Sequence, residues 1–464
     1  MIAALSITAI AHPAVADPRG GPLFSRVVAD PTGVSTARAI ADANGDGCPD
    51  VFAANDAELV CYTAPNWARV TLLVPDVVQH GYAFFRADEI AAGDIDSDGD
   101  ADVVTRVGDS GDVNGVTVWF ENPGDGLGGG VWSMHTIGAN QYAKNVAVAD
   151  VDRDGKLDVI TREHTRTQVW FQNSADDWTR TQIDHPAHEG MAIGDLDDDG
   201  DPDVVLNGFW LETPADPRAG AFAQHNIDSL WYSGQTGGQS WQRHNAKVAV
   251  GDIDGDQRLD VLLAHSELPG FPARWYSAAD PVNGPWVAHE ITPQCDYCHN
   301  LAAGDFDDDG SADVLLGGMP QSQQAGLTIY FGDGGATWNP LALQNEGSYS
   351  AVIGDLQLDG DLDIVAVYAW NQGPTEWWVN ELYAPQPVAD VNGDRVTDLL
   401  DLSIVLTNFG RSRVGTSEGD LNGDSLVDLA DLSLVLATFD RTECGDPQIP
   451  PNPLPSAFDI GQTE

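Results

Sequence analysis

The sequence predicts an all-β chain folded as a seven-bladed β-propeller, followed by a small α-helical module. Three observations carry this expectation. An acidic phrase recurs seven times at a nearly constant step, short β-rich segments flank each copy, and after residue 389 the acidic loops open instead onto amphipathic helical segments. A step of this length suits one four-stranded blade per copy.

The first copy places Asp42, Asn44, Asp46 and Asp50 at positions 1, 3, 5 and 9. The same positions hold Asp94, Asp96, Asp98 and Asp102, then Asp150, Asp152, Asp154 and Asp158, then Asp195, Asp197, Asp199 and Asp203. Asp252, Asp254, Asp256 and Asp260 follow, then Asp305, Asp307, Asp309 and Asp313, and last Asp355, Asp359 and Asp363 with Gln357 at position 3. The six steps from 42 to 355 average about 52 residues. Small apolar strands such as 90–93 and 146–149 precede the loops, and 103–104, 159–160 and 204–206 follow them. A third strand carries an aromatic pair (Trp119-Phe120, Trp170-Phe171, Trp275-Tyr276, Tyr330-Phe331, Trp377-Trp378), and a fourth opens at Trp132, Trp178 or Trp286. Recurrence at one place in each unit assigns these rings to packing between blades rather than to a cofactor box. Residues 23–28 read as a fourth strand, whereas the seventh unit stops after Trp378 without one. The N-terminal strand is therefore expected to complete the last blade, closing the ring at seven over residues 23–383.

Carboxylates at positions 1, 3, 5 and 9 with Gly at position 6 converge on one point, and a hard, oxygen-seeking cation such as Ca²⁺ repays that repulsion. A self-solvating Asx-rich turn is the alternative for one copy, and seven copies argue against it. Thr105, Thr161 or Leu206 stands at position 12, so these loops lack the distal acid of an EF-hand. Gln257 at position 6 and Gln357 at position 3 are expected to weaken or abolish binding in the fifth and seventh loops. The phrase from Ala92 to Val103 resembles the VCBS or FG-GAP repeat. That resemblance implies a calcium-binding propeller, but it spans adhesive heads, sugar-binding propellers and polysaccharide lyases, and so does not specify an activity.

After a linker at 384–389, Asp390, Asn392, Asp394, Asp398 and Asp401 form a loop that runs into 402–409. Asp420, Asn422, Asp424, Asp428 and Asp431 repeat it before 432–439, giving a calcium loop that opens a helix, twice over. The pair at 390–443 is similar to a type I dockerin, which implies a paired EF-hand-like module that docks onto a cohesin-like protein. Arg395 and Ser425 replace the usual Gly, and Leu399-Leu400 and Leu429-Ala430 stand where cellulosomal dockerins carry small hydroxyls, which argues against a cellulosomal partner. Residues 444–464 are Pro-rich and read as a flexible tail.

Composition narrows the function. The 72 acidic against 21 basic side chains give a formal charge of −51, which excludes a nucleic-acid grip and a polybasic lipid anchor. No stretch approaches the ~18 apolar residues of a membrane helix. Residues 1–16 read as a signal peptide cut after Ala16, or else as a frayed N-terminus, since no Lys or Arg precedes the apolar run. The expected location is secreted, extracellular or at the cell surface. Five Cys make no disulfide framework, although Cys48 and Cys61 are placed to meet across a hairpin. Cys295-Asp-Tyr-Cys298-His299 has the letters of c-type haem attachment, but it stands between two strands and not in a helical pocket, so a local disulfide or a pair of free thiols is expected ahead of haem.

Where the inner strands begin, polar residues recur: His80, Tyr82, Tyr142, Lys144, Asn145, His185, His188, Arg243, His244, Asn245, His299, Asn300 and Tyr349. Of these, His80, Tyr82, Tyr142, Lys144, His188, His244 and His299 are the ligand-binding candidates. His188, His299, Arg243 and Tyr349 are the catalytic candidates for a lyase, in which His or Tyr takes a proton beside a uronate carboxyl that a cation neutralises. Trp231-Tyr232, in a long fourth-blade insertion at 215–239, read as sugar-stacking rings or as loop packing. No hydrolase pair, nucleophile elbow or phosphate loop is visible. Binding of an extracellular polysaccharide or glycoprotein is therefore expected ahead of a lyase acting on uronic-acid polysaccharide, with a structural adhesin third.

Overall fold

Acidic loops and tight turns cut the described chain into seven antiparallel sheets, five of four strands and two of five. The structure is a computed structural model. It describes residues 15–16, 23–31, 37–74, 77, 82–108, 115–140, 143–185, 189–382, 389–392, 396–421, 425–437, 439 and 444, apart from 56–57, 66, 83, 86–88, 324, 335–336, 370–371 and 413.

The first sheet runs Ala37–Ala41, Asp50–Ala54, Leu59–Thr63 and Ala68–Thr71, from its inner to its outer strand. Six more sheets repeat this order, with inner strands Ala91–Gly93, Asn145–Ala149, Met191–Gly194, Ala246–Gly251, Cys298–Gly304 and Ser350–Gly354. In the seventh, Leu23–Asp30 pairs with Gln372–Asn380, Phe24 opposite Asn380 and Val27 opposite Trp377. The N-terminal strand thus supplies the missing outer strand, as expected. Val15–Ala16 adds a short pairing outside it, and residues 1–14, where a signal peptide was expected, lie outside the described residues.

One hydrophobic core fills each junction between neighbouring blades. Successive side chains of a strand point to opposite faces. Trp119 therefore packs against Trp170 of the third blade, while the adjacent Phe120 joins Phe52 and Trp132 in the first–second junction. Trp377 and Trp378 divide in the same way between the seventh–first and sixth–seventh junctions.

Two expectations are corrected. Cys48 bonds to Cys444, across a sequence separation of 396, and not to Cys61. Cys61 faces the first–second junction beside Phe52, whereas Cys48 faces the seventh–first junction, so the hairpin puts the two thiols on opposite sides of the blade. The stretch 215–239 is not merely an insertion: Ala223–Asn226 within it is the outer strand of the fourth blade, paired to Phe209–Glu212. The C-terminal region holds two short helices, Leu399–Asn408 and Leu429–Ala437, over a small core of Val391, Val405, Val414, Val427 and Val435. Residues 383–388, which take in all of the expected linker but Ala389, and the tail after Cys444 lie outside the described residues.

Candidate metal centres and the axial cavity

Each acidic loop is shaped first by its own hydrogen bonds. In the second loop, Asp94 accepts from the amides of Asp98 (3.0 Å) and Gly99 (3.1 Å), and Asp98 accepts from Asp100 (3.0 Å). Asp102 accepts from Ile95 at 2.9 Å and from Asn122 at 2.8 Å, locking the loop to its own third strand. The Asn122 amide group then reaches back 2.8 Å to the carbonyl of Ala43 in the preceding loop. Gln172 makes the same bond to Ile95, and Asn380 to Phe306. The loops are therefore tied across the blade junctions.

Among the described residues, five loops bring one carboxylate oxygen from each of three acids within 4.8 Å of the others. The triads are Asp94-Asp96-Asp102, Asp150-Asp152-Asp158, Asp195-Asp197-Asp199, Asp252-Asp254-Asp260 and Asp305-Asp307-Asp313. The position-3 acids Asp96, Asp197 and Asp254 each bury one oxygen that no donor meets. Desolvation, then neighbouring loop carboxylates, raises the pKa of all three. An acceptor-only cluster with orphaned oxygens fits a hard cation, and calcium is the metal these residues would hold. Position 9 is buried more deeply, and desolvation pushes Asp50, Asp102, Asp158, Asp203, Asp260 and Asp313 up to about 7 against their backbone hydrogen bonds.

The turn is more demanding than the sequence suggested, because position 4 as well as position 6 is left-handed. Position 4 has φ between 54° and 73° in every loop, although it is Ser97, Arg153, Asp198, Asp308 or Leu358 in five of them. Gln257 takes φ 70° at position 6 and still donates to Asp252 at 2.8 Å, so the fifth loop keeps its convergent acids. Its side chain strains a site that Gly occupies freely. Gln257→Gly is expected to stabilise the protein by about 0.5 kcal/mol, and Gln257→Val to destabilise it by about 1–2 kcal/mol. Denaturant melts of the two variants check this, and a fall in stability with Gly would contradict it.

The third loop already carries a cation. Arg218 pairs with Asp152 and with Asp154 and donates to the Gln172 carbonyl at 3.1 Å. In the C-terminal region, Asp401 accepts from the amides of Val391, Asn392 and Asp398, and Asp431 from those of Leu421 and Asp428. Asp398 and Asp428 cap the two helices through Leu400 and Ala430. The two halves thus repeat one geometry, while Asp394, Asn422 and Asp424 lie outside the described residues.

The inner strands run from the opposite end of the ring toward these loops, and where they begin all seven line a cavity of about 230 Å³. Asn145, His299 and Asn300 of the sequence-derived ring meet there. His299 stacks on Tyr349 at 4.8 Å and lies 3.4 Å from Glu267. His80, Tyr142 and His188 lie outside the described residues. Other candidates stand outside the lining of this cavity. Tyr82 packs on the first–second junction, Arg243 donates to the carbonyls of Gly237 and Gly238, and the His244 amide is held by Gln235 at 2.7 Å. The Lys144 amide donates to the Arg162 carbonyl at 2.8 Å. His185 sits beside Arg162, and burial followed by that charge pushes its pKa down to about 2, so it stays neutral. Trp231 is fully buried and donates to Tyr276 at 2.7 Å, which makes it packing. Cys295 and Cys298 are unbonded thiols buried in the fifth–sixth junction, where a haem edge has no access. Sequence reading missed Arg38, Glu89, Lys247 and Ser350, which line the cavity at four or five residues before the first loop acid.

Residues 42–105, 94–161 and 150–206 match the FG-GAP-like repeat. The chain carries FG-GAP repeats. Cartilage acidic protein 1 of Xenopus tropicalis is 24% identical to this FG-GAP propeller over 188 residues, covering 38% of this chain and 29% of the relative. The human protein is 23% identical over 193 residues, again 38% of this chain and 28% of its own length. The matched segment thus spans less than a third of either relative. Among solved structures, an Agrocybe aegerita lectin that recognises non-reducing terminal N-acetylglucosamine aligns with a TM-score of 0.42 at 15% identity, over 68% of this chain and 81% of its own. BBS1N, solved in complex with ARL6DN, aligns with a TM-score of 0.47 at 10% identity, over 81% and 97%. No helix among the described residues is long and apolar enough to cross a membrane.

Proposed function

We propose that this FG-GAP propeller is an extracellular calcium-loaded protein that binds a glycan or glycoprotein at the end of the ring opposite its acidic loops. The supporting observation is the axial cavity, to which every inner strand contributes. Calcium in the loops would hold the blades in register, and the cavity would do the recognising. The C-terminal pair, read as a dockerin-like EF-hand module, would tether the propeller to a cohesin-like protein. A glycan array probed with calcium-loaded full-length protein tests the reading. Hits that a cavity variant loses support it, and an array without hits favours a protein-binding adhesin.

A second reading, a polysaccharide lyase, is favoured by the His299–Tyr349 stack, which places a proton acceptor at the cavity wall. Incubation with uronic-acid polysaccharide and detection of the unsaturated product decides between the two. Product that disappears with Tyr349→Phe would replace the binding-only reading.

A further inference from the structure

We infer that the third acidic loop takes no calcium, because the guanidinium of Arg218, supplied by the fourth blade, already serves as its cation. This rests on the calcium reading of the other loops and divides the sites into two kinds.

Three blades share one turn between the third strand and the outer strand. It opens on Asp125, Asp216 and Asp280, whose carbonyls accept from Gly128 at 3.2 Å, Gly220 at 2.6 Å and Gly284 at 2.7 Å. Two residues after that Asp, the side chain leans on the preceding blade: Leu127 is buried in the first–second junction, and Val282 packs on the fourth–fifth. In the fourth blade the same place holds Arg218. Its guanidinium lies over Phe171 at 5.2 Å, in the third–fourth junction, and is carried by that contact to the third loop.

There every guanidinium nitrogen finds an acceptor. Nε donates to Asp152, Nη1 to Asn173 at 2.6 Å and Thr179 at 3.3 Å, and Nη2 to Asp154 at 3.4 Å and the Gln172 carbonyl at 3.1 Å. The Gln172 amide in turn donates to Asp158 at 2.8 Å, so Arg218 engages positions 3 and 5 directly and position 9 through one residue. Asp152 is left with no idle oxygen, since its other one accepts from the Asp154 amide at 3.2 Å. Asp96, Asp197 and Asp254, at the same position in the second, fourth and fifth loops, each keep an oxygen that no donor meets. Lys156 adds a second positive charge 2.9 Å from Asp154. Arg218 and Lys156 together bring the charge of one calcium ion, and a calcium ion drawing on the same carboxylates would stand cation against cation beside them. The third loop is therefore locked to the fourth blade in chelator as well as in calcium.

Native mass spectrometry of the full-length protein at saturating calcium tests this by counting bound ions. Asp96→Ala is expected to lose one ion and Asp152→Ala none. Arg218→Met is expected to gain one, and the double variant of Arg218→Met with Asp152→Ala to give it up again. If Arg218→Met fails to melt cooperatively, the comparison of Asp152→Ala with Asp96→Ala decides alone. Equal counts for those two variants overturn the inference, as does an unchanged count in a folded Arg218→Met. A wild-type chain that binds no calcium overturns the calcium reading itself, and this inference with it, before any variant is made.

Discussion

Chelating calcium from the intact protein is expected to lower its melting temperature by about 10 °C or more, with the C-terminal helix pair unfolding first. The sites are built into the ring: each triad brings three acids within 4.8 Å, and Asn122, Gln172 and Asn380 tie one loop to the next across a blade junction. Without a cation, Asp96, Asp197 and Asp254 each keep an orphaned oxygen among neighbouring loop carboxylates. The helix pair has a core of a few valines and depends on its loops more heavily. The sign of the pH dependence sharpens this. In the folded, metal-free chain the position-9 carboxyls keep their protons up to about pH 7, whereas the unfolded chain releases them near the ordinary aspartate value of 3.8. The folded state therefore binds more protons in that window, and metal-free stability falls as pH rises from about 4 to about 7. With calcium the ionised form is the one required, so stability should rise over the same window. Calorimetric melts at pH 5 and pH 8, with chelator and with calcium, check both statements. Coincident melts in chelator and calcium would sink the metal assignment.

Much of this ring was legible because its signals repeat. Seven copies of one acidic phrase located the loops and counted the blades, and the aromatic pairs named the side chains that fill the junctions. What repetition does not carry stayed hidden. Arg38 is a single departure at a position where six blades are apolar, and only the fold shows that it reaches the Ser350 carbonyl of the seventh blade. The left-handed backbone at position 4 left no trace in composition, because Arg153, Leu358 and Ser97 adopt it as Gly45 does. The outer strand Ala223–Asn226 opens without the Trp that marks its counterparts, so it read as part of a loop. Polar type at a strand start proved a poor guide to the cavity lining: Arg243 and His185 have the right residue types but serve a loop and a buried pair.

Removing the Cys48–Cys444 disulfide is expected to destabilise the protein by about 4 kcal/mol, more than any substitution at a single loop. The reason lies in where the bond sits. The ring is closed non-covalently by Leu23–Asp30 on the seventh blade, and the weak point of such a closure is the seventh–first junction. Cys48 belongs to the first blade's acidic loop, and Cys444 follows the helix pair that leaves the seventh blade, and both are buried in that same junction core. The bond is therefore a second, covalent closure of the ring, and its sequence separation of 396 residues removes a large part of the unfolded chain's freedom. Cys48→Ser should lower the melting temperature and expose the region between Asn380 and Cys444 to limited proteolysis. Cys61→Ser should leave the cross-link intact, since Cys61 faces the first–second junction. Peptide mapping without reductant reads the outcome directly. A cross-linked peptide joining Cys48 to Cys61 would overturn the assignment, and a wild-type melt for Cys48→Ser would show that the N-terminal strand closes the ring alone.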